Sequence, residues 1–494
     1  MKGEKNKKKF KKDFSKKSGY ISVHLLMAVS ITVTLLTGLV VFAVSAQKKS
    51  LNEIAKNKSL QIAEYGIYYY KWYLAHNLDG RNVQQIKEFW QDEENPPLGI
   101  DSPYIYRVKD SSEREIGQYQ IEVASYDPNS TIVVIESTGK LDAYPQIEKK
   151  IRVRFRRPSW SEYSVLANDV MRFGAGTNVY GPIHSNNGIR FDGTANNIIT
   201  SAVETYLDPD TGTIKPGVWT SQADEDQVFL AGKEYPVPSV DFNGVAVDLA
   251  FMKNEAQDFG EGSYFGYNQT PEEVCRNVCI LQFLSFCLRV EYQCGIAEVK
   301  GYHLILGENN FIIRDVLDYH GSYYNIISEG PSKTYNYPEN GLLFFEKPTW
   351  VEGQIDGQKI TIASANLTGS GSDSDIYIEK DVRYTNYDGT NIIGLIAQNN
   401  ISIGYYSNNI LRIDGALLAQ KGRVGRNQYS GTYRNRNTIT LFGSMATNKR
   451  YGFAYTDGTG YQIRNLYFDN NLLYYPPPYF PTGNVYRLDL WEDM

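Results

Sequence analysis

Cysteine and histidine are scarce, four and five residues in a chain of 494. A protein built around repeated thiolate or imidazole metal sets is excluded on that count, save at one place where all four cysteines crowd together. Charged residues make up only 21% and hydrophobic residues 42%, which rules out wholesale disorder. No Walker loop, dinucleotide fingerprint, H-E-x-x-H pair or G-x-S-x-G context stands out, so the familiar nucleotide, metalloprotease and hydrolase signatures carry nothing here. Proline is missing from Met1 to Pro96, leaving nothing in that stretch to break a helix. What is plentiful is Tyr (39) and Gly (42), a pair that suits pleated surfaces joined by tight turns.

The net charge of −6 hides a split. Residues 1–19 hold nine lysines against Glu4 and Asp13, a surplus of seven, so the remainder carries thirteen negative charges net. An acidic body does not condense on phosphate backbones, and no nucleic-acid partner is expected. From Tyr20 to Ala46 the chain is predominantly apolar and has no Asp, Glu, Lys or Arg, its one basic member being His24. As a helix rising about 1.5 Å per residue this stretch reaches roughly 40 Å, enough to cross the roughly 30 Å hydrocarbon layer. The lysines before it predict a single-pass topology in the cytoplasmic membrane, with a cytoplasmic basic leader at 1–19 and the rest of the chain outside. A secretory signal peptide is the competing reading, but the apolar run exceeds the usual length of its h-region.

The helical pattern continues past the membrane. Leu51, Ile54, Ala55, Ile62, Tyr65, Tyr69 and Tyr73 recur at three- and four-residue steps, which predicts one helix over 20–78, membrane-spanning at 20–46 and amphipathic beyond. A lysine-rich leader closed by Gly19, an aromatic residue at Tyr20, and an apolar half-helix flowing into an amphipathic one together resemble the type IV pilins. The segment IAEYGIYYYKWYLAH, Ile62 to His76, is similar to the helix end of PilX-type minor pilins and of large pilin-like surface proteins. The resemblance implies that a prepilin peptidase cuts between Gly19 and Tyr20 and that the apolar half-helix packs with other pilin-like subunits in a fibre core. It also implies a departure. Where most major pilins carry glutamate, five residues into the mature chain, this one has His24, a trait of some tip-located minor pilins. His24 is therefore a helix-docking candidate, the plain alternative being a neutral residue near the membrane interface.

Residues 79–157 alternate apolar and polar side chains in YIYRV, QYQIEVASY, TIVVIES and KIRVRFR, which predicts a small antiparallel sheet lying on the helix. Arg152, Arg154 and Arg156 should share its solvent face. Residues 158–494 carry weak repeats: GPIHSN at Gly181, GLIAQN at Gly394, GALLAQ at Gly415 and GSMATN at Gly443, with a second echo in IRFDG at Ile189 and LRIDG at Leu411. Glycine-led units at one-coil spacing suit a solenoid, so the fold class is mainly β with one long N-terminal helix, the body being a large right-handed parallel β-helix. A β-sandwich would show similar strands. The echo predicts Ile189, Phe191, Leu411 and Ile413 inward, with Arg190, Asp192, Arg412 and Asp414 outward. The proline-rich end, about 472–494, should cap an open coil.

Cys275, Cys279, Cys287 and Cys294 fall in an insertion at about 260–300. Outside the membrane, two disulfides are the leading expectation, Cys275 with Cys294 and Cys279 with Cys287 in a short helical hairpin, while a tetrahedral zinc site stays open. His184 falls at a repeat position filled elsewhere by Ala397, Leu418 and Ala446, and should fill a turn. Acidic groups at Asp208 and Asp210, Asp224 to Asp226, and Asp373 and Asp375 lack an EF-hand pattern. No catalytic residue, cofactor or resident metal is expected. The functional expectation is a non-enzymatic, pilin-like surface protein presenting its β-body for adhesion or contact. The alternative is an anchored β-helix protein that binds or degrades polysaccharide, since exposed tyrosines stack on sugar rings and surface carbohydrate is a conceivable partner.

Overall fold

The computed structural model describes residues 18–81, 83–126, 130–242, 248–257, 262–267, 272–283, 286–483 and 485–494. The basic leader up to Lys17 lies outside the described residues. A single helix, Ser18–Leu78, runs 61 residues. Its early apolar part is exposed throughout, from Tyr20 to Val44. From Ala55 onward one stripe turns inward: Ala55, Ser59, Ile62, Ala63, Ile67, Tyr70, Leu74 and Leu78 are buried at three- and four-residue steps, the repeat of one helical face.

That stripe is covered by a five-stranded antiparallel sheet. Tyr104–Lys109, Glu115–Tyr126, Ile132–Leu141 and Glu148–Arg156 pair in sequence order, and their inward residues Tyr119, Ile121, Val133, Ile135, Ile151, Val153 and Phe155 complete one core with the helix. Close approach needs glycine: a Cβ on Gly139 would collide with the Ser59 carbonyl and stand 2.5 Å from the Ala63 nitrogen. The fifth strand comes from the far end of the chain. Arg487–Asp493 pairs antiparallel with Glu148–Arg156, so the C-terminus belongs to this sheet and does not cap the body.

The body is dominated by a 22-stranded, largely parallel sheet. Its chain steps through three ladders. Leu342–Phe345, Lys359–Ser364 and Ile392–Ala397 share the first; Thr349–Ile355, Ile376–Ile378 and Ile401–Ile403 the second; Val382–Tyr384 and the start of Ile410–Ala419 the third. Ile362, Leu395, Leu417 and Met445 are successive in-register neighbours on the first ladder, and Val382, Ile413, Leu441 and Leu466 on the third. All eight face one interior core. A second core lies outside the first ladder, where Leu166, Phe344, Ala363, Ile396 and Leu418 meet Trp160, the helix Leu249–Gln257, Leu472 and Phe480.

Chain order and ladder order differ. The strand Val165–Ala167 does not begin the stack; it pairs with the end of Asn435–Thr447, through Met445 opposite Val165. From there the chain leaves in one direction through Ile183–Ser185 and Ile199–Ser201 to Lys233–Glu234. It re-enters at the opposite end with Ser263–Phe265 and winds back to the seam.

Several expectations change. Gly415 does face Gly443, but Gly394 faces Ala416, one residue out of the frame that the glycine motif suggests. The IRFDG and LRIDG echoes sit on different ladders, Ile189–Phe191 in a separate three-stranded sheet with Met171–Phe173 and Val218–Trp219. Ile189, Phe191, Leu411 and Ile413 are buried, yet Asp192 and Asp414 are buried too, each held by its own arginine. The proline-rich segment straps the side of the first ladder: Pro477 lies against Gly394, and Thr361 Oγ1 donates to the Pro478 carbonyl. The stack's edge at Gly301–Leu306 is instead covered by the antiparallel strand Asn310–Tyr319. The cysteine segment is no helical hairpin but two antiparallel strands, Glu272–Phe283 and Phe286–Ala297.

Candidate assembly helix and polar sites

Gly19 and Tyr20 lie in the first turns of the long helix, and the Tyr20 ring is 76% exposed. The side chains along 20–46 pack against no other element among the described residues, and by length and composition this is the one described helix long and apolar enough to cross a membrane. Three of its hydroxyls are satisfied within the helix: Thr32, Thr34 and Thr37 donate to the carbonyls of Ala28, Ser30 and Val33 at 2.7–2.8 Å. In lipid an unsatisfied hydroxyl costs several kcal/mol, roughly, so this back-bonding suits the setting. His24 Nδ1 stands 2.6 Å from the Tyr20 carbonyl. A carbonyl only accepts, so Nδ1 is the donor in this contact.

The inner half of the helix is clamped. Tyr70 Oη donates to the Leu98 carbonyl at 2.9 Å and Ser59 Oγ to that of Ile147 at 3.2 Å. The helix Val83–Gln91 places Trp90 where its Nε1 donates to Tyr486 Oη at 3.1 Å, tying the head to the C-terminal segment. Arg152, Arg154 and Arg156 do not form a free basic face. Arg152 pairs with Glu136 at 2.6 Å, Arg154 with Asp489 at 2.6 Å, and Arg156 with Glu162 at 2.9 Å.

The four cysteines reach the structure through their backbones; their side chains lie outside the described residues. Cys275 and Cys294 are direct partners across the two strands, whereas Cys279 faces Val290 and Cys287 faces Gln282. His184 sits in a strand, not a turn, and is buried with Thr200 Oγ1 at 2.9 Å and Asn186 Oδ1 at 3.2 Å. Burial pushes its pKa down despite the Asn186 contact, which keeps it neutral. The acidic loops are spoken for: Asp208 accepts from Thr211, Asp224 from Gln227, Asp373 from Lys421, and Asp210 from Arg172 and Arg450. Among the described residues no group of three His, Cys, Asp or Glu side chains is placed to hold a metal ion.

Sequence patterning missed one polar cluster of five charged groups. His303 stands between Glu329, 2.5 Å from Nδ1, and Glu352, 3.4 Å from Nε2, with Arg314 on Glu329 and Lys380 on Glu352. Burial lowers the His303 pKa, but the two carboxylates more than offset it and the value is raised. Burial lifts Glu352, and His303 and Lys380 pull it down to about 2. With His303 protonated, three cations thus meet two carboxylates in a brace between ladder end and covering strands, one positive charge in surplus. Its members are spread from 303 to 380, so no local motif could announce it.

No protein-family model matches the chain. No curated protein matches it either. Among solved structures, the crystal structure of the competence-associated pilin ComZ from Thermus thermophilus aligns over 89% of this chain and 97% of that chain, at 10% sequence identity and a TM-score of 0.28. A superposition that loose establishes neither fold nor function for this chain.

Proposed function

We propose that this chain is a pilin-like, membrane-anchored surface protein, a non-enzymatic minor or tip subunit of a type IV pilus-like fibre that presents its β-body for adhesion or contact. One observation carries the reading. A single helix leaves its first, apolar part uncovered by any other described element and packs its second part as the spine of an antiparallel sheet. Bare apolar surface of that extent needs lipid or other helices around it. In this reading the leader stays cytoplasmic, prepilin peptidase cuts between Gly19 and Tyr20, and residues 20–46 pass from the membrane into a bundle with other pilin-like helices.

We read the three ladders as the faces of a parallel β-helix; the passage of the chain from 342–345 on the first ladder through 349–355 on the second and back to 359–364 on the first supports this. The size of the body relative to the head favours a terminal position, because a subunit repeated along a fibre has to leave room for its neighbours. His24 at the fibre-docking position favours it too.

Shearing intact cells and probing the released filaments tests the proposal. The protein is expected in the sheared fraction at low abundance and, by immunogold labelling, at filament ends. Retention of the whole population in the cell membrane after shearing would overturn the fibre assignment.

A further inference from the structure

The seam described above leaves a gap. The second ladder runs through Ile401–Ile403 and Val424–Arg426 and then shrinks to a single bridge between Gly425 and Gly452. Beyond it, Met171–Phe173 belongs to a different sheet. At this break lies a cavity of about 550 Å3, walled by Arg172 from one side of the seam, Arg423 from the other, and Arg450, Arg464 and Asp210.

The electrostatics are lopsided. Four guanidinium groups meet one carboxylate, and Asp210 is already shared between Arg172 at 3.0 Å and Arg450 at 2.9 Å. Arg464 is only 6% exposed. Its donors go to Thr177 Oγ1 and to the carbonyls of Tyr461, Gln462, Gly174 and Ala175, none of them charged. Among the described residues the Arg423 guanidinium donates through Nη2 alone, to Asn427, Tyr455 and the Arg426 carbonyl. Neither forms an ion pair among the described residues. A buried cation without a counter-charge is costly, and neutral acceptors hold Arg464 rigidly without cancelling its field. The outcome is a concave site carrying a surplus of three positive charges inside a strongly acidic body. Its neighbours keep it open, since a Cβ at Gly174 or Gly452 would meet only an arginine nitrogen at 3.9 Å, and one at Gly458 nothing within 4 Å.

We propose that this cavity binds an oxyanion, the carboxylate, sulfate or phosphate group of a ligand, with Arg423 and Arg450 as its direct donors, Arg464 as a fixed positive floor, and Asp210 as an internal competitor. Guanidinium groups suit such ligands because their donors match two oxygens at once. The site does not depend on the pilin reading, for it lies wholly within the β-body.

The test is calorimetric titration of the full chain in detergent with sodium glucuronate, sodium sulfate and sodium phosphate in turn. Saturable binding of at least one is expected, weakening as sodium chloride is raised, and the preferred probe separates a sugar-acid ligand from an inorganic-type oxyanion. Arg423→Gln with Arg450→Gln should weaken binding at least tenfold. Asp210→Asn should strengthen it several-fold, a gain that misfolding cannot produce. No saturable binding with any of the three, or affinities indifferent to both variants, would overturn the proposal.

Discussion

Met445 and Val165 are in-register neighbours on adjacent parallel strands, so the first and last turns of the β-body are joined at its middle. Both are fully buried in the shared interior core. The two directions of winding from this seam therefore have one continuous ladder between them, and neither stretch completes its core alone.

Met445→Ala should lower the unfolding free energy by about 2–5 kcal/mol, the usual cost of emptying a buried aliphatic site. Both sides of the seam should still unfold together. Urea denaturation followed by tryptophan fluorescence reads this, because Trp219 and Trp350 lie on opposite sides of the seam; two separated transitions would contradict a single ladder.

Gly139 offers a sharper contrast. Gly139→Ala drives a methyl into the Ser59 carbonyl and should cost about 1–3 kcal/mol, the range for overpacking a tight contact. Gly38→Ala, on the exposed part of the helix with nothing within 4 Å, should leave the head's stability unchanged. Chemical denaturation of both variants in detergent checks the pair.

The His303 cluster sets a pH window. Its imidazole has a raised pKa, so that share of stability is complete below the ordinary histidine value near 6.5 and fades as pH rises through the raised one. Glu329 and Glu352 have lowered values, so their share is complete above the ordinary glutamate value near 4.3 and fades on acidification. The cluster contributes most between about pH 4.5 and 6.5. The melting temperature should fall between pH 6 and pH 8 in the parent chain, and His303→Gln should flatten that fall. An unchanged slope would mean that the contacts do not carry the pH dependence.

Local patterning revealed the elements that depend on short-range periodicity. The Leu51 to Tyr73 spacing announced the amphipathic helix but not its inward face, since Ala55 and Ile62 are buried while Leu51, Ile54 and Tyr65 are exposed; strands such as QYQIEVASY and KIRVRFR emerged near their expected places. The seam, the C-terminal strand Arg487–Asp493 on Glu148–Arg156, and the His303 brace were invisible because each joins residues far apart in sequence. Asp192 and Asp414 misled for another reason. Period-two alternation sends them outward, but arginine pairing lets a strand bury them: Arg412 Nε donates to Asp414 at 2.8 Å, and Tyr384 N and Tyr387 Oη add two more bonds. The cysteine segment failed through length, its apolar run being readable as helix or strand with no periodicity to decide.

The central claim is that the bare apolar helix begins a processed, pilin-type subunit. Sequencing the N-terminus of protein recovered from sheared surface filaments and from membranes tests it most directly. A chain beginning at Tyr20 in the sheared fraction is the predicted result. A chain beginning at Met1 and confined to membranes would contradict it, and one beginning near Gln47 would contradict it equally by making residues 20–46 a discarded signal.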